Sequence, residues 1–168
     1  EWPYQLWKAN EYRDLMDCLT DLSMFNKLYT PINKYDLAAY WRAILSNSSF
    51  DVVEAYRTAL SRRNVASPPL LFFCRQRSGR RLLTSSLFPA DVLVADLYYR
   101  VGQFLQDMGK YEGAGEIFSQ SRFHYQNSSQ PIEVARVECS LAHTYHLRVT
   151  ISLSLSFFLS LSLSLSLS

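Results

Sequence analysis

Glycine is scarce in this chain, with five in 168 residues, and they never form Gly-x4-Gly-Lys-Ser/Thr, the loop that wraps a nucleotide phosphate. Cysteine is scarcer still. Cys18, Cys74 and Cys139 are odd in number and far apart, which excludes a disulfide framework and predicts reduced thiols of an intracellular protein. The three histidines are His124, His143 and His146. The run Cys139-x3-His143-x2-His146 has helical spacing, but zinc sites draw ligands from two elements and no second cluster exists, so no metal is expected. Charge is nearly balanced at +2, too little for a nucleic-acid or membrane footprint. No signal peptide is present, and the chain opens on Glu1, so both ends are expected to be truncated.

What is present is apolar and aromatic. At 48% hydrophobic and 14% aromatic residues, the chain can bury a core, and the spacing predicts helices throughout. Residues 1–64 read as a bundle of short helices. Pro3 opens the first, and Tyr12, Leu15, Met16 and Leu19 form the apolar face of the next. Asp21 is placed to cap a helix burying Leu22, Phe25 and Leu28. Asn33 is expected to cap one burying Leu37, Tyr40, Trp41 and Ile44, and Ser49 one burying Tyr56 and Leu60.

The most informative stretch is Ala95 to Gln126. Tyr98, Val101, Gly102 and Leu105 fall at i, i+3, i+4 and i+7, Gly109 breaks the pattern, and Ala114, Ile117, Phe118 and Ser121 restart it. This is a helix, a tight turn and a second helix, with small residues where two helices must touch. Tyr98, Val101-Gly102, Leu105, Gly109, Tyr111, Ala114, Phe118 and Ser121 resemble, position by position, a tetratricopeptide (TPR) repeat, although Gln126 stands where the terminal proline belongs. Leu141-Ala142 and Tyr145 resemble the first helix of a second, kinesin-light-chain-like repeat, with Ala142 equivalent to Gly102 at an offset of 142 − 102 = 40 residues. That resemblance implies an α-solenoid fragment whose concave groove takes a protein partner, either a peptide or a helix. The groove-facing candidates are Tyr99, Gln103, Gln106, Ser140, His143 and Thr144.

A second resemblance lies in the first half. Pro3-Tyr4-Gln5-Leu6, Leu15, Cys18 to Leu22, Phe25, Tyr35-Asp36-Leu37 and Tyr40-Trp41 are similar to the helical region that follows the nucleotide-binding core in STAND-class NTPases, with Gln5 where many relatives have His. Together with the TPR pattern this resembles the nephrocystin-3-like TPR-bearing STAND proteins. It implies a cytoplasmic or ciliary scaffold whose NTPase core lies outside these residues, or else a regulatory helical segment of an ATP-dependent switch.

Two stretches fit neither reading. From Ala55 to Ala90 there is no acidic residue against seven arginines, including Arg75, Arg77, Arg80 and Arg81; residues 65–90 are expected to be a basic linker or a spurious insertion. After Leu147 a second repeat should turn into its partner helix, but residues 149–168 run into alternating Leu and Ser. Ile151 to Ser168 has eight serines in 18 residues and no continuous apolar run, so no membrane span is expected. A CT dinucleotide repeat encodes Leu-Ser alternation in every frame, which makes translated intron the simplest origin. The carboxylate pairs Asp14/Asp17 and Glu112/Glu116 read as solvated helix faces, and no nucleophile has an orienting partner. The expectation is therefore an all-α chain: a short-helix bundle at 1–64, TPR-type hairpins at 91–148 and a low-complexity tail. No enzyme, catalytic residue, cofactor, metal, nucleic acid or small-molecule substrate is expected.

Overall fold

The computed structural model describes residues 2–65 and 90–166. The expected linker or insertion at 65–90, with Cys74 and Arg75 to Arg81, lies almost wholly outside them. Among the described residues there are eight α-helices and no strand: α1 (Trp2–Lys8), α2 (Tyr12–Thr20), α3 (Leu22–Leu28), α4 (Lys34–Asn47), α5 (Val52–Val65), α6 (Ala90–Asp107), α7 (Tyr111–Asn127) and α8 (Pro131–Ser166). They divide into two compact units, Glu1–Asp96 and Leu97–Ser168, with the division falling inside α6.

The first unit is organised around α2, which packs against α1, α3, α4 and α5. Its core is Leu15, Leu19, Phe25, Leu37, Trp41, Ile44, Val52 and Tyr56, all fully buried. One polar chain runs through it. The Trp41 indole N–H donates to the Tyr56 hydroxyl at 3.2 Å, and that hydroxyl donates to the Leu19 carbonyl at 3.1 Å. Three helices are thus tied by groups that burial would otherwise penalise. Burial pushes the Tyr56 phenol far above its ordinary range, with the Trp41 donor opposing that shift.

The short helices start where a side chain can satisfy a free N–H. Asp21 accepts from the Met24 amide at 2.8 Å, and the Ser23 hydroxyl, followed by backbone amides, holds its carboxyl below the usual range. Asn33 makes no such side-chain bond; the Asn33 amide itself donates to Thr30 Oγ1 at 3.3 Å. At α5 it is Asp51, not Ser49, that accepts from Val53 at 3.0 Å, because a capping side chain must directly precede the first turn. Burial, then the Asp21 charge, raises the pKa of the Cys18 thiol, which is free.

Three helices end in one kind of backbone geometry, α6 and α7 in the second unit and α1 in the first. Gly109 has φ +75°, its amide donates to Gln106, and Lys110 donates back to the Leu105 carbonyl at 2.9 Å. Ser129 (φ 54°) repeats this at the end of α7 and Asn10 (φ 60°) at the end of α1. These are left-handed closures in which glycine is the least strained residue. Beyond Leu147, where the second repeat's first helix is expected to end, α8 continues to Ser166. No Gly or Pro interrupts residues 132–166, and a lone period-2 segment without a partner strand can satisfy its backbone only through its own helical bonds. Ser154 and Ser156 return their hydroxyls to the carbonyls of Ile151 and Leu153 at 2.8 Å. No helix among the described residues is long and apolar enough to cross a membrane.

Tyr56→Phe should lower stability of the first unit by about 1–3 kcal/mol, since the Trp41 N–H loses its acceptor. A phenol whose folded pKa is raised contributes stability that is complete below its unfolded pKa of about 10 and declines above it, by up to about 1.4 kcal/mol per pH unit. Urea unfolding followed by tryptophan emission should show that alkaline decline in the parent chain and less of it in Tyr56→Phe.

Candidate protein-interaction surface

The second unit is built on one close approach. Gly102 of α6 lies under the Phe118 ring of α7, so that a methyl group at Gly102 would stand 2.8 Å from two ring carbons. Around it, Val101, Leu105, Ala114 and Phe118 are fully buried, Ser121 is buried with them, and Tyr98 sits 5.4 Å from the His124 ring. Tyr111, at the first turn of α7, is half-buried. The size pattern in the sequence therefore corresponds to a helix crossing in which one side chain has been removed to admit another.

α8 packs against α7 through Val137, Leu141 and Thr144. The Tyr125 hydroxyl accepts from Arg136 at 3.3 Å near one end, and Glu112 accepts from Arg148 at 3.2 Å near the other. α8 also meets α6. Tyr99 is the hub: its hydroxyl is 3.2 Å from Ser140 Oγ, it accepts from Gln103 at 3.1 Å, and the Arg136 guanidinium lies 4.4 Å from its ring centre. Two turns along, Gln106 Nε2 is 2.7 Å from His143 Nδ1. Tyr99, Gln103, Gln106, Ser140 and His143 thus form one polar row bridging α6 and α8. Tyr99 is buried beneath it, Gln103, Gln106 and Ser140 are half-buried, and His143 is exposed.

Three expected positions fall elsewhere. Thr144 is buried rather than groove-facing, its hydroxyl donating back to the Ser140 carbonyl at 2.7 Å. Ala142 and Tyr145, expected in a repeat core, are exposed, Tyr145 by 53%. The physical reason is that the partner helix of a second repeat would cover them, whereas α8 runs straight on. Arg136 was not singled out from the sequence. It lies four residues before Ser140 and seven before His143, on the same face, so helical periodicity carried the signal. Among the described residues no group of three or more His, Cys, Asp or Glu is arranged to hold a metal ion.

The second unit is thus a set of helical hairpins closed by a Cβ-free crossing, with a polar row between alternate helices. Over 145 residues, 86% of the chain, the sequence is 30% identical to a TPR repeat-containing protein of Dictyostelium discoideum, and the chain spans about 8% of that protein's length. No protein-family model and no solved structure matches the chain. The fold and this similarity are consistent with a protein-interaction region.

Gly102→Ala gains about 1 kcal/mol of helix propensity but forces the buried Phe118 ring to move, at about 1–3 kcal/mol. Gly115→Ala, which meets nothing within 4 Å, keeps the gain alone. Urea unfolding followed by far-ultraviolet circular dichroism should rank Gly115→Ala above the parent and Gly102→Ala about 1–3 kcal/mol below Gly115→Ala.

Proposed function

We propose that α6–α8 are part of a TPR-type scaffold that binds a protein partner along the α6/α8 row. The carrying observation is that side chains from two alternate helices converge there and end in an open edge, Gln106 with His143, bearing amide and imidazole groups that pair with a peptide backbone. Arg136, stacked on Tyr99 and paired with Glu133 at 2.6 Å, holds the inner end of the same row in place. The role is recognition and not catalysis.

The residues behind the STAND resemblance support a second part of this reading. Pro3, Leu6, Leu15, Leu19, Leu22, Phe25, Leu37 and Trp41 are buried in the first unit, so the shared pattern is a packing pattern. On that basis the first unit is the helical segment behind an NTPase core in a nephrocystin-3-like protein, with a cytoplasmic, ciliary setting.

A photo-crosslinking amino acid placed at Gln103 or His143 of the protein in cells should yield discrete protein adducts, several-fold more than the same group at the exposed Gln120 of α7. Equal labelling at all three positions, or none, contradicts the assignment. Dependence of the adducts on ATP would favour the switch over the passive scaffold.

A further inference from the structure

The last turns of α8 carry a periodicity that the helix does not use. Every odd position from Ile151 to Leu167 is apolar, and every even position from Ser152 to Ser168 is serine except Phe158. In a helix alternate residues stand about 200° apart, so these apolar side chains spread around the whole axis and make no common face. Accordingly, Val149, Thr150, Ile151, Ser152, Leu153 and Ser154 are all exposed, Leu153 by 65%. Ser154 and Ser156 bond back to carbonyls of their own helix. The last polar contact of α8 with α7 among the described residues is Arg148 with Glu112. Beyond it the helix is an extension held by its own backbone bonds, built half from serine, an indifferent helix former.

In a strand the same residues separate by face. All nine odd positions, apolar throughout, fall on one side, and the eight serines with Phe158 fall on the other. We infer that residues 151–168 are a self-association site whose partner is the same segment of a second copy, the two pairing as β-strands. A lone copy stays helical because it has no partner strand. A second copy supplies one whose apolar face matches it without any further selection. The backbone bonds given up by the helix are regained between chains, and the apolar side chains, which the helix leaves in water, gain a face they can bury against another sheet. No charge, glycine or proline stands between Val149 and Ser168 to interrupt such pairing. A slip of two residues preserves both faces, so Phe158 is the register mark on the serine side. Antiparallel pairing centred on it sends the two folded units to opposite edges of the sheet.

The full chain, incubated over a range of concentrations, provides the test. Sedimentation should show assembly that rises with concentration, and the infrared amide band should gain intermolecular β-sheet as far-ultraviolet circular dichroism loses helix. Emission from Trp2, Trp7 and Trp41 should stay unchanged, because the first unit remains folded. Leu155→Lys with Leu161→Lys, on the apolar face, should raise the concentration needed for assembly about tenfold, and Ser154→Lys with Ser162→Lys much less. A chain whose residues 151–168 are permuted to helical periodicity, with composition unchanged, should form no sheet. The inference is overturned if the parent chain stays monomeric at all concentrations, or if it assembles with its helix intact. Equal effects of the two lysine pairs, sheet formation by the permuted chain, or a change in tryptophan emission on assembly would each overturn it too.

Discussion

The absence of a side chain at Gly102 is the constraint on which the second unit depends. It lets the Phe118 ring lie against the α6 backbone, and that approach fixes where α7 crosses α6. The turn at Gly109 then has to reverse the chain within a few residues, which its positive φ allows. With α7 so placed, Tyr125 meets Arg136, Arg136 stacks on Tyr99, and α8 comes within hydrogen-bonding reach of α6. Packing, turn geometry and the polar row are therefore successive consequences of one missing Cβ. Surface charge contributes little to this arrangement: the Arg148–Glu112 pair is solvent-exposed and worth about 0–1 kcal/mol.

α8 consequently has two faces of different chemistry. Toward α6 it presents Arg136, Ser140 and His143, which are polar and already partnered by Tyr99 and Gln106. Away from α6 it presents Ala142, Tyr145 and Val149 around Glu138, apolar and exposed. The first face is bonded across to α6. The second is apolar around one charge. A repeat architecture produces both, because each added helix pair creates a groove wall on one side and a stacking surface on the other.

How far residues alone revealed this depended on whether the deciding physics was local. Gly102, Gly109 and Ala114 announce the hairpin because a small residue at a crossing or a turn is a steric requirement visible at a single position. Asp21 as a cap was legible for the same reason; Asn33 also stands at the cap position of α4, but its helical backbone angles leave the side chain unbonded, and at α5 it is Asp51 rather than Ser49 that adjoins the first turn. Ala142 and Tyr145 show the limit of periodicity: it identifies the side of a helix that a neighbour would cover, but not whether that neighbour is there. Arg136 is not legible in the sequence because a long cation on a helix usually marks a solvated face, whereas here the Tyr99 ring, the Tyr125 hydroxyl and the Glu133 carboxylate surround it. The Leu-Ser stretch has the period of a strand, and the helix prevails there because an isolated segment closes its backbone bonds only with itself.

The direct test of this account is the contact between Gly102 and Phe118, read by nuclear magnetic resonance on the chain. The account predicts cross-relaxation between the Gly102 α-protons and the Phe118 ring protons, with the α-protons displaced by the ring current. Gly102 α-protons at ordinary shifts with no such cross-peak would mean that α6 and α7 do not cross there, and the placement of α8, the polar row and the open face would fall with it.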